Sequence, residues 1–217
     1  MKFDPFGTVS RYLPERLLHR LIRIAMAGIL AVFLWQRIRQ YDLFAVKALW
    51  LAETALFAVL IIAFLCRTNP VQRSSGVQEI IIPLLGSALP FALLLAPPAP
   101  LVTNNRTLFS VLLWGMAAAT ILTVAGMWTA RRAFSITVEA RILVTGGPYR
   151  LIRHPIYTGE MLAAAAVAGI RFSLQNMAIL SLFVAIQLYR SRLEEAKLRS
   201  IFPGYRQFAE GSWWFWR

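Results

Sequence analysis

The chain has 217 residues, of which 58% are hydrophobic and 15% charged, and its mean hydropathy is +0.59. A water-soluble domain carries roughly 45–50% apolar and about 25% charged residues, so the composition excludes an ordinary soluble globule, which this polar complement is too small to cover. The net charge of +13, from 23 Lys+Arg against 10 Asp+Glu, points to loops facing an anionic cytoplasmic leaflet rather than to nucleic acid.

In chain order, the first 20 residues hold Lys2, Asp4, Arg11, Glu15, Arg16 and Arg20 without a compact apolar stretch, which does not read as a signal peptide. Four apolar segments follow: residues 21–35, 48–66, 80–96 and 108–129. A membrane-crossing helix needs roughly 20 predominantly apolar residues, so the first is short unless it extends into its charged flanks. The second carries Glu53 near one end and the only cysteine, Cys66, which excludes an intramolecular disulfide and a cysteine metal cluster. The third contains Pro83 and Pro90, tolerated in a membrane helix when neighbours satisfy the freed carbonyls. A fifth apolar region, residues 156–189, is interrupted at Gly169-Ile170-Arg171-Phe172-Ser173. It reads as a tight helical hairpin with arms of about 15 and 17 residues, roughly 22 and 25 Å long, and Arg171 at or snorkelling to the far interface. The fold class expected is therefore all-α: a polytopic transmembrane helical bundle of about four spans plus a C-terminal hairpin. No internal repeat or linker divides it. Residues 1–217 read as a single membrane domain, with N-terminal spans over 1–130 and a functional region over 131–217.

With both termini cytoplasmic, 18 of the 23 basic residues fall inside, as the positive-inside rule requires. The loop 36–47, with Arg37, Arg39 and Lys47 against Asp42, is the exception. Trp213, Trp214 and Trp216 fit an interfacial aromatic belt or packing against the bundle.

Two stretches can carry chemistry. In 141–157, Gly146-Gly147-Pro148 is a turn that lets backbone approach a ligand. Arg153-His154-Pro155 follows, with Pro155 suited to the first turn of a helix and His154 at the helix N-terminus, where an anionic group is favoured. A simple cap that touches lipid phosphates is the plainer reading. In 189–198, Arg190 and Glu194 share a helix face, while Glu195 and Lys197 point elsewhere; alone this is a solvated interfacial helix. The hairpin, however, starts and ends at one membrane face, so His154, Tyr157, Arg190 and Glu194 converge on one interfacial cleft. Glu53 and Glu160 pair at helix ends or line the same cleft.

The blocks Leu143-Val-Thr-Gly-Gly-Pro-Tyr149, Arg153-His-Pro-Ile-Tyr157-Thr-Gly159, Arg190-x3-Glu194-Glu195-x2-Leu198 and Phe202-Pro-Gly-Tyr205 together resemble the isoprenylcysteine carboxyl methyltransferase family and, in part, the related phospholipid methyltransferases. The resemblance covers residues 141–208; upstream it is only hydropathic. It implies a membrane methyltransferase that uses S-adenosyl-L-methionine, held in a cytosolic-face pocket by Arg141, Ile142, Leu143, Val144, Gly147, Tyr149, Arg153, His154, Pro155, Ile156, Tyr157 and Glu194. It gives Arg190 and Glu194 the catalytic positions, with Arg190 nearest the acceptor carboxylate, and a lipid-like or prenylated acceptor as partner, with no metal and no nucleic acid. Arg141 departs from the small polar or His residue of some members, and Gly211-Ser-Trp-Trp-Phe-Trp216 replaces the usual Val-Pro ending.

Methyl transfer from a sulfonium to a carboxylate annihilates opposite charges and needs alignment and water exclusion more than an acid or base. An amine acceptor, as in a phospholipid N-methyltransferase, requires deprotonation and directs attention to Glu160 or Glu195. Two other readings stand beside these: an NADPH-dependent sterol or isoprenoid reductase of related architecture, using Arg150, Arg153 and Arg192 for phosphate, and a non-enzymatic lipid-binding scaffold.

Overall fold

The structure, a computed structural model, describes residues 14–216; Lys2, Asp4, Arg11 and Arg217, which entered the signal-peptide and topology readings, lie outside them. The described residues form an all-helical bundle without a β-strand: α1 Glu15–Arg39, α2 Lys47–Cys66, α3 Gly76–Ala92, α4 Pro100–Thr103, α5 Arg106–Ala130, α6 Pro155–Ile170, α7 Leu174–Ile201 and α8 Tyr205–Gly211, with 3-10 turns at Tyr41–Leu43 and Gly147–Arg150.

Among the described residues, three helices are long and apolar enough to cross a membrane: Leu17–Arg39, Lys47–Cys66 and Arg106–Ala130. The first segment thus does extend into its charged flanks. The third expected span does not reach full length, because α3 ends at Ala92 before Pro97-Pro98, where chain stiffness and the missing N–H end a helix. Within α3, Pro83 and Pro90 are accommodated, and the Ser87 hydroxyl donates to the Pro83 carbonyl at 2.9 Å.

Two helix starts are fixed by short polar side chains. Asn105 Oδ1 accepts from the Leu108 N–H at 3.0 Å to open α5, and Ser173 Oγ accepts from the Asn176 N–H at 3.1 Å to open α7, both N-cap bonds. The hairpin turn falls where the sequence breaks. Arg171, rather than reaching for solvent, donates to the carbonyls of Leu94, at 3.2 Å, and Ala96, and so closes the end of α3. Asn176 Nδ2 joins the same corner by donating to Leu93 O and Arg171 O. The second arm does not stop at Tyr189: α7 runs on unbroken to Ile201, because no Gly or Pro interrupts its polar C-terminal half.

Helices pack in the sequence α1–α2–α5–α6–α7–α3. The α5–α6 contact is the tightest, since a Cβ on Gly159 would stand 2.2 Å from Thr123 Oγ1 and 2.6 Å from the Ala119 carbonyl. The two apolar cores are Leu93, Ala164, Ala168 and Phe183, and Val59, Ala63 and Met127. Glu53 pairs with Arg37 at 3.0 Å, which settles its charge away from the cleft.

Candidate active site

The seam between the α6 N-terminus and the C-terminal half of α7 gathers the polar groups. Pro155 is the first residue of α6 and His154 its N-cap, but the His154 ring does not cap the helix. Its Nε2 lies 3.1 Å from Glu195 Oε1; a carboxylate only accepts, so Nε2–H donates. Nδ1 faces Glu194 Oε2 at 3.9 Å, beyond hydrogen-bond reach. The Tyr157 hydroxyl donates to Glu194 Oε1, and its ring stacks parallel to His154 with centroids 5.3 Å apart. Arg190 lies over the Tyr157 ring at 4.8 Å, with Nε 3.5 Å from Glu194 Oε1 and Nη2 donating to Ile136 O at 2.7 Å. The four side chains singled out in the sequence thus meet.

One expectation is corrected. Glu195 does not point elsewhere: one turn of α7 sends Glu194 and Glu195 to opposite sides of His154, and Glu195 Oε2 also accepts from Arg153 Nη1 at 3.2 Å and Trp216 Nε1 at 2.9 Å. So engaged, it is not a free base. Burial alone would raise the Glu195 carboxyl; the bond from His154, the Arg153 charge and the Trp216 bond outweigh this and hold it below the usual carboxylate range. Lys197 turns to a separate buried post, donating to Glu79 Oε2 at 2.6 Å and to the carbonyls of Val138 and Arg73.

These groups form the polar end of a cavity of about 530 Å³. Of the family-implied contacts, Arg141, Ile142, Leu143, Val144, Tyr149, Arg153, His154, Ile156, Tyr157 and Glu194 line it, as does Arg190. Gly147 and Pro155 do not. Gly147, at φ +55°, packs on Thr129, and Pro155 packs on Gly126; both shape the loop from behind. Burial first, then the nearby Glu194 charge, raises the Tyr149 phenol far above its ordinary range. The cavity's apolar lining includes Met26, Leu30 and Phe33 of α1, Phe57 and Leu60 of α2 and Phe91 of α3.

Sequence reasoning named Glu160 for the cleft but missed Glu139 and Arg67. Glu160 lines the cavity and accepts from Gln187 Nε2 at 2.5 Å, a partner one helical face along α7 from Arg190. Glu139 accepts from Arg141 Nη2 at 2.5 Å and from Ser135 Oγ at 2.9 Å. Beside it, burial and the Arg141 charge push the Arg67 guanidinium down to about 10. The 131–141 loop gave no periodic signal by which these could be placed. Arg150 and Arg192, set aside for a phosphate, do not line the cavity; Arg192 lies over the Trp216 ring at 4.8 Å.

The decisive comparison is with protein families: residues 108–200 match the isoprenylcysteine carboxyl methyltransferase (ICMT) family model. This stretch is similar to the ICMT family. It holds α5, the loop after it, α6 and α7 up to Ser200, and so every residue of the His154–Tyr157–Arg190–Glu194 cluster. Among curated proteins, the chain is 33% identical over 97 residues to the cobalt-zinc-cadmium resistance protein CzcN of Cupriavidus metallidurans. That match covers 44% of this chain and 44% of the relative, so the chain spans less than half the length of the curated relative it matches.

Proposed function

We propose that the protein is an integral membrane methyltransferase that takes a methyl group from S-adenosyl-L-methionine and passes it to a lipid-like acceptor, most naturally the carboxylate of an isoprenoid or prenylcysteine. The observation that carries this is the position of the ICMT-family stretch: its polar cluster caps a cavity whose remainder is apolar and open to the membrane-level helices. Residues 1–130 and 131–217 then work as one domain, since the cavity draws walls from both. The positive-inside count favours placing both termini, and the cluster, on the cytoplasmic side.

The residues fit the cofactor. Glu194 Oε2 accepts no hydrogen bond among the described residues and faces the cavity, which suits a ligand ammonium group. The Leu143-Val144 backbone edge and the buried Tyr149 suit a flat base. The cofactor supplies an electrophilic methyl on a sulfonium. Arg190 Nη1 makes no hydrogen bond among the described residues, while Nη2 is held by the Ile136 carbonyl and Nε stands 3.5 Å from Glu194 Oε1 without a hydrogen-bond partner; one arm of the fork is therefore fixed and the other is free to orient a carboxylate. Tyr157, beneath that guanidinium, holds its plane. Closing such a site around an apolar tail excludes water, which strengthens each of these electrostatic contacts. No proton needs to move for a carboxylate acceptor. For an amine acceptor Glu160, rather than the fully engaged Glu195, is the base within the cavity.

In proteoliposomes given a methyl-labelled donor with either a prenylcysteine or an aminophospholipid, we expect label in the former, released as methanol by alkali as a methyl ester must be. Label in the aminophospholipid that resists alkali would reassign the chemistry to nitrogen. No transfer to either, with intact protein, would count against the methyltransferase reading itself.

A further inference from the structure

The C-terminal segment departs from the family pattern, and the structure gives it a place beside the cluster. Two backbone bonds join it to the loop before α6: Trp213 N–H donates to Leu151 O at 2.8 Å, and Arg153 N–H donates to Trp213 O at 3.0 Å. Trp214 is buried, its ring centroid is 4.7 Å from that of His154, and its indole N–H donates to Ser191 Oγ at 3.1 Å. Trp216 closes the circuit. Its carbonyl accepts from Arg153 Nη2, and its indole N–H donates to Glu195 Oε2 at 2.9 Å. The segment therefore ties the loop bearing His154 to the helix bearing Glu194 and Glu195, elements 41 residues apart at the His154–Glu195 contact.

We infer that Trp214 and Trp216 are positioning residues that clamp His154 in one tautomer at the cofactor end of the cavity. Glu195 Oε1 is aligned to accept the hydrogen bond from His154 Nε2–H while Oε2 is held by Arg153 and Trp216. With both oxygens fixed the carboxylate cannot rotate, so in the neutral ring the proton stays on Nε2, and Nδ1 is turned toward Glu194. Trp214 covers the ring and denies it other rotamers. Without the Trp216 N–H, Glu195 gains a free lone pair and a rotational freedom, and the imidazole can exchange its proton to Nδ1, where it would compete with a ligand amine for Glu194. This rests on the cofactor-site reading for its functional consequence but not for its structural one.

The test uses the full chain in detergent. The sequence has two histidines, so ring-nitrogen NMR of histidine-labelled protein, with His19→Gln for assignment, reads His154 directly. In the neutral ring, wild type should show Nε2–H alone. Trp216→Phe, which keeps the ring and loses the N–H, should show a mixed tautomer and bind S-adenosylhomocysteine roughly tenfold more weakly, the loss of one hydrogen bond to a charged group. Ser191→Ala, which removes only the acceptor of Trp214 and so is least disruptive to folding, should broaden the His154 signals in the same direction. Unchanged His154 signals in both variants would overturn the clamp. If wild type fails to bind S-adenosylhomocysteine yet the tautomer shifts in Trp216→Phe, the clamp stands and the methyltransferase reading falls.

Discussion

At the scale of single residues, the site is a division of labour between two adjacent carboxylates. Glu194 keeps one oxygen for Tyr157 and Arg190 and leaves the other toward the cavity, whereas Glu195 is consumed by His154, Arg153 and Trp216. Glu194→Ala should therefore weaken S-adenosylhomocysteine binding by tenfold or more, roughly the worth of a charge-assisted hydrogen bond, with little change in melting temperature. Arg190→Ala should leave that affinity within about twofold and reduce turnover by about two to three orders of magnitude; single-turnover methyl transfer separates the two. Glu195 behaves oppositely. Its carboxyl lies below its ordinary value of 4.5, so its charged contacts stabilise the fold above that pH and are lost as the pH falls through the folded-state value. Wild type should lose melting temperature from about pH 5 downward, and Glu195→Gln should lose less over the same range. The sequence made His154, Tyr157, Arg190 and Glu194 legible because helical spacing and one hairpin sufficed to bring them together. It hid Glu195's role, since the choice between facing out and facing His154 depends on the tail, which no local pattern connects to α7.

At the scale of elements, the bundle depends on close approach of α5 to α6 and on a buried post between α3 and α7. Gly159 is required by the first: Ala there would drive its Cβ into Thr123 Oγ1 and the Ala119 carbonyl, a backbone atom that cannot swing aside. Gly159→Ala should cost about 1–3 kcal/mol, read as a lowered thermal midpoint, and should disturb α6 and hence His154. Lys197 serves the second. Its three donors go to Glu79, Val138 O and Arg73 O, so Lys197→Met strands a carboxylate and two carbonyls. Fully buried pairs broken this way cost about 3–5 kcal/mol; Glu79, with a side chain 21% exposed, recovers some water, and about 2 kcal/mol is expected. Helix positions were readable from hydropathy, and the hairpin break from Gly169 to Ser173. Helix ends were not: α1 runs through its charged flanks to Arg39, and α7 passes through its polar half to Ile201, because long Arg and Glu side chains favour helix as well as apolar ones do.

At the scale of the whole molecule, seven helices contribute to the lining of one cavity, which joins apolar side chains of α1, α2 and α3 to the charged cluster of α6 and α7. The packing order leaves α1 and α3 as the ends of the row, yet both contribute lining residues. An acceptor whose tail resides in lipid and whose head is polar matches that polarity. Filling the apolar part should then discriminate tail from cofactor: Ala163→Phe on α6 should raise KM for a long-tailed acceptor by about tenfold while leaving S-adenosylhomocysteine affinity within about twofold.

The central claim is that the Glu194 end of this cavity is a cofactor site for S-adenosyl-L-methionine. Calorimetry on the full chain in detergent, titrated in parallel with S-adenosylmethionine, S-adenosylhomocysteine and NADPH, tests it most directly. The account predicts saturable binding of the first two, lost in Glu194→Ala, and none of NADPH. Binding of NADPH alone, or equal binding of S-adenosylhomocysteine by wild type and Glu194→Ala, would contradict it.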